Sequence, residues 1–257
     1  PGPVLIDITK NAQFDTFDFE YKKCTSIRSY KSVPDVDKSQ LLEAAKLINA
    51  AKKPFIVFGQ GVILGEAEAE FKALIEKTGI PSACTILGLS ALETKHPLHV
   101  GMVGMHGNYG PNKLTNECDV LIAIGMRFDD RVTGDLNRYA KQAKVVHFDI
   151  DPAEIDKNVK TNVAVLGNSK DTLAHITPLL QTNSHPDWLK KFRNYDTIEF
   201  DKVIKDELYP TKEGITMGEV LKEINQVTKG EAVIVSDVGQ HQMLACRYAE
   251  FKQTKSN

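Results

Sequence analysis

Charged residues crowd the end of one apolar run in this sequence. Residues 121–124 are an apolar strand pattern, and Arg127, Asp129, Asp130 and Arg131 follow it between two glycines. In open α/β sheets, ligands bind in the crevice outside the carboxyl ends of the strands. An arginine there can bind a carboxylate or phosphate through paired hydrogen bonds, and an aspartate can hold it in place. The cluster therefore predicts a bound anionic or dinucleotide-like molecule; the alternative is a solvated ion cluster on the surface.

Two carboxylates follow the next apolar run. Asp149 and Asp151 flank Ile150 directly after residues 145–148. An acidic residue at the end of a later strand is a common partner for ribose hydroxyls in dinucleotide sites. The two carboxylates point the same way on an extended chain, but no histidine or third acid accompanies them at metal-ligand spacing. The pattern favours ribose binding over a metal site.

Three further segments combine glycine or polar residues with the end of a strand or the start of a helix. The Gly-Gln-Gly triplet at 59–61 is neither a complete GxGxxG nor a P-loop, so it predicts either close approach of a ligand or only a tight turn. In the Gly- and Met-rich run 101–108, His106 could contact a ligand or a loop carbonyl. Gln240 and His241 open a helix pattern whose start suits a diphosphate, although both side chains could merely cap that helix.

The elements that must position these residues alternate between apolar runs and helical patterns. This alternation predicts an α/β fold with a parallel, Rossmann-like sheet, followed by the first βα elements of a second α/β domain. We expect strands at 4–8, 54–58, 80–85, from 120, 145–150, 163–166 and 232–235. Helices are expected at 38–51, 66–77, 168–180 and 216–228, and 96–111 is expected to be a loop followed by a short helix.

Composition excludes several classes of function. The chain has 257 residues, 42% hydrophobic and 26% charged, and a net charge of −2, so nothing favours nucleic acid or an anionic membrane as a partner. It has no apolar run near the roughly 18 residues of a membrane span. Its four cysteines are far apart and predict reduced thiols in a cytoplasmic protein. Both ends are abrupt, which suggests a piece of a longer chain.

Seven strings resemble the large catalytic subunit of acetohydroxyacid synthase, also called acetolactate synthase, in that family's order and spacing. They are PGPVLIDITK, KKPFIVFGQG, TGIPSACTILG, GMVGMHGN, AIGMRFDDRVTG, VVHFDIDPAEIDKN and VGQHQM. The resemblance implies an enzyme that condenses two pyruvates, or pyruvate and 2-ketobutyrate, with loss of CO2 in branched-chain amino acid biosynthesis. It further implies thiamine diphosphate, Mg2+ and an FAD that takes no net redox part.

The resemblance also implies a role for each matching residue. Met105, Asp130 and Arg131 match the substrate channel, where Arg131 would meet the carboxylate of the second 2-ketoacid. Gln240 and His241 match contacts to the diphosphate of thiamine diphosphate. The residues that match FAD contacts are Gly59, Gln60, Gly61, Thr85, Ile86, Val103, Gly104, Met105, His106, Gly125, Met126, Arg127, Asp129, Asp149, Ile150, Asn168 and Ser169. Asn168 and Ser169 depart from the family's usual Asp and apolar residue, and Leu244 stands where many members have Trp.

By the same resemblance, residues 1–30 end an N-terminal domain and its linker. Residues 31–182 form the central FAD-binding domain, with a DHS-like NAD/FAD-binding fold, 183–212 a linker, and 213–257 the truncated start of the C-terminal thiamine-diphosphate domain. The family's activating glutamate would precede Pro1 and its Mg2+ motif would follow Asn257, so we expect no metal site here and no activity from this chain alone. We also expect FAD to be weakly held or absent.

The parent enzyme would be a cytoplasmic homodimer or homotetramer with a possible regulatory small subunit. Two alternatives remain: a flavin-containing pyruvate oxidase, against which the string RFDDRVTG argues, and a non-catalytic nucleotide-binding module.

Overall fold

A single parallel sheet organises the structure, a computed structural model that describes residues 5–24, 31–211 and 213–257. In these residues the sheet has six strands: β1 (Pro54–Phe58), β2 (Ser82–Cys84), β3 (His99–Met102), β4 (Val120–Ile124), β5 (Lys144–Asp149) and β6 (Val163–Leu166). Their order is β3-β2-β1-β4-β5-β6, and every pair is parallel. This order changes direction between β1 and β4, as in doubly wound dinucleotide-binding folds. The predicted α/β fold with a Rossmann-like sheet is therefore confirmed.

The two central strands are buried on both faces because all their residues are apolar. β1 reads PFIVF and β4 reads VLIAI, and all ten residues are buried. Strands covered by helices on both sides require such continuous apolar runs rather than alternating ones. In their register Pro54 pairs with Val120 and Phe58 with Ile124. The two strands therefore end at the same level, and the residues that follow them lie side by side.

Helices cover both faces of the sheet. The α-helices are α1 (Lys10–Gln13), α2 (Lys38–Ala50), α3 (Gln60–Leu64), α4 (Glu68–Thr78), α5 (Tyr109–Leu114), α6 (Asp130–Thr133), α7 (Ser169–Ile176), α8 (Pro186–Glu199), α9 (Lys205–Leu208), α10 (Met217–Thr228) and α11 (Gln240–Tyr248). Short 3-10 turns occupy Ile86–Gly88, Pro152–Glu154 and Thr177–Leu179, and Phe200–Ile204 is a π-helical turn. One core packs α2, α4 and α7 against the sheet. The other includes Leu114 of α5 and Trp188 and Phe192 of α8, so residues predicted as a linker contribute to it.

Three predicted elements are wrong in detail. The four-residue strand β3 lies where a loop was expected, because its run is too short to stand out among the neighbouring glycines and histidines. Residues 5–8 form no strand, and Val4 lies outside the described residues. The predicted strand 232–235 is coil, with Val233 67% and Val235 90% exposed. A strand needs a neighbour for its backbone hydrogen bonds. Among the described residues this segment joins no sheet, and the N–H of Ile234 donates to the carbonyl oxygen of Ser256 over 2.9 Å as a single bond.

The chain divides into two units, Pro1–Ser32 and Val33–Asn257. In the described part of the first segment, α1 is the sole regular element and its residues are exposed. The domain boundaries inferred from the sequence stay predictions. Among the described residues, no helix is long and apolar enough to cross a membrane.

Candidate functional site

A cavity of about 990 Å³ lies at the carboxyl ends of the strands. Its wall takes residues from the segment after each of the six strands, for example Gly61 after β1, Thr85 after β2 and Asp149 at the end of β5. Pockets for organic ligands are commonly about 300–1,000 Å³, so this one has room for a large molecule. The crevice is at the switch point where such folds bind nucleotides.

Most of the residues singled out in the sequence line this cavity. They are Gln60, Gly61, Thr85, Ile86, Val103, Gly104, Met105, His106, Gly125, Met126, Arg127, Asp129, Arg131, Asp149, Ile150, Asn168 and Ser169. Gly59, Asp130, Gln240 and His241 do not line it. The wall also contains Leu64, Gly65, Leu87, Met102, Val132, Asp151, Glu154, Val238, Gln242 and Met243. Leu64 and Gly65 lie three and four residues after Gly61, so helical spacing could have identified them.

The glycines at the ends of β1 and β4 bring two backbones into direct contact. The N–H of Gly61 donates to the carbonyl oxygen of Gly125 over 2.8 Å. A Cβ on Gly61 would lie 2.5 Å from the Cα of Gly125, and one on Gly59 would lie 2.6 Å from the Cβ of Met126. Gly59 is therefore required by packing between the two strand exits, and Gly61 both packs there and faces the cavity.

Asp129 organises the charged segment after β4. Its Oδ1 accepts hydrogen bonds from the backbone N–H groups of Arg131, at 3.1 Å, and Val132, at 3.2 Å, and so caps α6. Its Oδ2 lies 3.5 Å from Nε of Arg127. The same carboxylate thus caps the helix and lies beside the guanidinium of Arg127, which is on the cavity wall. The Arg127 side chain is 67% exposed, so it is open to an anion entering the cavity.

Arg131 and Asp130 lie on the exposed side of the same segment. Their side chains are 3.8 Å apart at Nη1 and Oδ2, and 73% and 80% exposed. An exposed pair of this kind contributes little to stability. Both residues, with Met105, line a neighbouring cavity of about 350 Å³, and Arg131 and Met105 belong to the wall of the large cavity as well. The structure thus brings the three predicted channel residues together beside the main cavity.

Asp149 ends β5 with its side chain nearly buried. Its Oδ1 accepts from the N–H of Asp151 over 2.9 Å, and Asp151 in turn accepts from the N–H of Ala153 over 2.9 Å. Asp151 therefore caps the 3-10 turn Pro152–Glu154. Within the described part of the chain, no three His, Cys, Asp or Glu side chains converge on a point that could hold a metal ion. The geometry suits acceptance of a ligand hydroxyl by Asp149.

The loop after β3 is fastened to its surroundings through Gly104. The N–H of Gly104 donates to Oδ1 of Asn112, and Nδ2 of Asn112 donates to the carbonyl oxygen of Gly104, both over 2.9 Å. The next N–H, that of Met105, donates to the carbonyl oxygen of Arg131 over 2.8 Å. The His106 side chain, half-buried at the cavity, hydrogen-bonds no loop carbonyl among the described residues. The loop is thus held by its backbone, which leaves these side chains to the cavity.

The start of α11 differs from what its sequence indicated. Gln240 and His241 begin the helix, yet no side chain caps it, and Gly239 precedes it with φ +156°. The residues of this segment that reach the cavity are Val238, Gln242 and Met243.

The Cys84 thiol, at the end of β2, is not a nucleophile. Burial raises the pKa of this thiol well above its usual value.

The family model described as the central domain of thiamine pyrophosphate enzymes matches residues 41–176. This range is more than half of the chain and contains all six strands. The chain belongs to this family. The cavity therefore lies at the strand ends of a thiamine pyrophosphate enzyme's central domain, with part of its wall contributed by α11, beyond the matched range.

Similarity to curated proteins extends over the whole chain. The chain is 35% identical to the acetolactate synthase large subunit of Corynebacterium glutamicum over 100% of its own length and 41% of that protein. It is 37% identical to the probable acetolactate synthase large subunit of Methanocaldococcus jannaschii over 100% of its own length and 44% of that protein. It is 34% identical to the acetolactate synthase isozyme 3 large subunit of Escherichia coli over 99% of its own length and 45% of that protein. The resemblance inferred from the motifs is confirmed, and the chain spans less than half the length of these relatives.

Proposed function

We propose that this chain is the central part of an acetolactate synthase large subunit. The observation that carries the proposal is the cavity at the sheet's switch point, whose wall gathers seventeen of the site residues inferred from the sequence. The relatives that match the whole chain are named acetolactate synthase large subunits. The reaction proposed for the intact protein joins two molecules of pyruvate, or pyruvate and 2-ketobutyrate, with release of CO2.

The described residues fit an FAD held in the large cavity. Gly61 and Gly125 both line the cavity, and their lack of side chains leaves the main chain there open to a dinucleotide. Asp149, nearly buried at the end of β5, would accept a ribose hydroxyl, and Arg127, held by Asp129, would meet phosphate. Met105 and Met126 supply adaptable apolar surface for a flat ring.

Thiamine diphosphate and Mg2+ are proposed to bind mainly to parts of the enzyme other than this chain. Thiamine diphosphate supplies the electron sink for decarboxylation and carbon–carbon bond formation when it is bound. From this chain, Gln242 and Met243 reach the cavity, while Gln240 and His241 lie at the start of α11 and would face the diphosphate. Arg131 would bind and orient the carboxylate of the acceptor 2-ketoacid, because its guanidinium is exposed where the two cavities meet.

The proposal includes a homodimer or homotetramer, a possible regulatory small subunit and a cytoplasmic location. Its test uses the full-length protein with thiamine diphosphate, Mg2+ and FAD. We expect acetolactate to form from pyruvate without consumption of oxygen. Oxygen consumption with formation of peroxide would instead indicate a flavin pyruvate oxidase. FAD binding without any turnover of pyruvate would indicate a nucleotide-binding module, and either of these results would overturn the proposal.

A further inference from the structure

Two side chains outside the cavity hold the backbone of the segment after β4. The Nε2 of His147 lies 2.9 Å from the carbonyl oxygen of Met126. The Nδ2 of Asn158 donates to the carbonyl oxygen of Phe128 over 2.7 Å. A carbonyl oxygen only accepts, so the hydrogen of the first contact lies on Nε2 of His147. We call these two hydrogen bonds the carbonyl clamp.

The clamp holds the segment that follows strand β4, which ends at Ile124. The N–H of Gly125 still donates to the carbonyl oxygen of Phe148 over 2.9 Å. Beyond Gly125, the backbone pairs with no strand among the described residues. Met126 and Phe128 are buried, while Arg127 and Asp129 between and after them face the cavity. A buried carbonyl without a donor is costly. His147 and Asn158 supply the two donors that the sheet no longer provides.

His147 is itself fixed by packing. It is fully buried in β5, and its ring meets that of Phe128 edge to face with centroids 5.0 Å apart. Its Nδ1 has no hydrogen-bond partner among the described residues, so the contact to Met126 is its closest polar one, with Oδ2 of Asp149 at 3.6 Å. His147 can therefore act on the site through the Met126 backbone that it binds and through the neighbouring carboxylate of Asp149, whereas Asn158 acts through the backbone of Phe128.

We propose that His147 and Asn158 are positioning residues for the nucleotide site: the carbonyl clamp fixes Met126 and Phe128 so that Arg127 and Asp129 stay aimed into the cavity. Neither His147 nor Asn158 lines the cavity. The cofactor part of this inference rests on the proposed function, since it takes FAD as the ligand. The mechanical part, that the clamp orders residues 125–133, does not.

The test compares His147→Leu, His147→Gln and Asn158→Ala with a matched control, His99→Leu. His99 is likewise a buried strand histidine that contacts a carbonyl oxygen, that of Glu93 at 3.3 Å, but it does not touch residues 125–133. Two quantities are measured on the full-length protein, well below the melting temperature of every variant. One is amide hydrogen exchange over residues 125–133, and the other is the Kd for FAD from quenching of flavin fluorescence.

We expect His147→Leu to speed exchange over 125–133 and to raise the Kd for FAD, each by about tenfold, because one buried carbonyl loses its donor. His147→Gln, which keeps a donor, should recover part of both effects, and Asn158→Ala should move both in the same direction. His99→Leu should lower the melting temperature and leave both readouts unchanged.

Exchange and Kd that stay at the unmodified values in His147→Leu and Asn158→Ala would overturn the inference. So would equal changes in His99→Leu, because they would reflect a general loss of stability. A full-length unmodified protein that binds no FAD would refute the cofactor assignment, and hence the cofactor part of the inference, whereas the exchange data would still decide whether the clamp orders the segment.

Discussion

The N–H of Gly61 donates to the carbonyl oxygen of Gly125 over 2.8 Å, so the exits of β1 and β4 are bonded directly to each other. Strands β1 and β4 are parallel neighbours in the sheet, and the order in which the strands are added changes direction between them. Because both strands end at the same level, this bond lies at the bottom of the cavity, at the point where a nucleotide is expected. Packing therefore requires glycine at both positions, and both residues also line the cavity.

Replacing Gly61 by alanine should destabilise the chain. The new Cβ would lie 2.5 Å from the Cα of Gly125 and 2.9 Å from its carbonyl oxygen, and these backbone atoms cannot rotate away. We expect the free energy of unfolding to fall by about 1–3 kcal/mol, the usual cost of overpacking a filled site. Urea denaturation followed by circular dichroism measures the change.

Gly110→Ala is the matched control for that experiment. Its Cβ would lie 3.1 Å from the Cβ of Tyr195, a milder overlap that a small shift between α5 and α8 relieves, and helices favour alanine over glycine. We expect a change of less than about 1 kcal/mol. If Gly61→Ala were no more destabilised than Gly110→Ala, the contact between the strand exits would be looser than the structure indicates.

His99 should make stability depend on pH. Burial lowers the pKa of His99 to about 4, with smaller lowering from the charges of His96 and Arg193, while hydrogen bonds to the backbone at Glu93 and Gly101 oppose it. Unfolded histidine has a pKa of about 6.5, so between about pH 6.5 and 4 the unfolded chain binds the extra proton. Stability therefore falls as pH falls through this window. Urea unfolding at pH 7 and pH 5 should differ by about 2 kcal/mol on account of this residue.

Other groups titrate over the same range, so the His99 contribution is read as a difference. His99→Leu lacks the titrating ring, and its stability should fall by about 2 kcal/mol less than that of the unmodified chain between pH 7 and 5. Parallel pH curves for the two proteins would show that His99 binds its proton equally well in the folded and unfolded states.

The sequence predicted the sheet and the cavity from the same signal. Apolar runs such as β4 must be buried on both faces, and charged or glycine-rich residues directly after them must lie at one edge of a parallel sheet. What could not be predicted depends on partners distant in sequence. Residues 232–235 carry a strand pattern, but among the described residues they join no sheet and make a single bond, from the N–H of Ile234 to Ser256. The four residues of β3 are too few to show a period. His147 and Asn158 lie in the sequence VVHFDIDPAEIDKN, in which the aspartates drew attention as ligand-binding residues. Their role as donors depends on the positions of Met126 and Phe128, which the sequence does not show.

A buried ion pair joins α8 to α11 and should be costly to break. Oε1 of Glu199 contacts Nη2 of Arg247, both side chains are mostly buried, and Oε2 of Glu199 accepts from the N–H of Tyr109 over 3.0 Å. Removing one member leaves an uncompensated buried charge, so Glu199→Ala should lower the free energy of unfolding by about 3–5 kcal/mol. The double variant Glu199→Ala/Arg247→Ala should lose less than the sum of the two single variants in urea denaturation.

The control for this pair lies on the same helix. Asp196 pairs with Arg193 over 2.9 Å, but both side chains are more than a third exposed. Asp196→Ala should therefore cost about 0–1 kcal/mol. An equal cost for Glu199→Ala and Asp196→Ala would mean that water reaches the Glu199 pair in solution.

In the intact enzyme, Arg131 is expected to act on substrate rather than on folding. Its 3.8 Å pair with Asp130 is exposed on both sides, so Arg131→Ala should leave the melting temperature nearly unchanged. If its guanidinium binds the acceptor's carboxylate in a closed site, removing it costs about 2–5 kcal/mol, or roughly 30-fold to several-thousand-fold in kcat/KM for the acceptor step. Initial rates of product formation against the concentration of 2-ketobutyrate, at a fixed concentration of pyruvate, measure kcat/KM for that step.

Two comparisons separate this role from a general effect of charge. Arg131→Lys should recover only part of the loss, because an ammonium cannot make the planar, two-pronged contact of a guanidinium. Arg138→Ala removes an equal charge from the wall of the smaller cavity alone, and it should leave acceptor kinetics unchanged. A lowered melting temperature with normal acceptor kinetics in Arg131→Ala would make the pair with Asp130 structural. Equal kinetic losses in Arg131→Ala and Arg138→Ala would trace the effect to the field of the whole cavity instead of a direct contact. Arg131 therefore binds the carboxylate if two results hold. Arg131→Ala must lose acceptor kcat/KM while Arg138→Ala does not, and Arg131→Lys must recover only part of that loss.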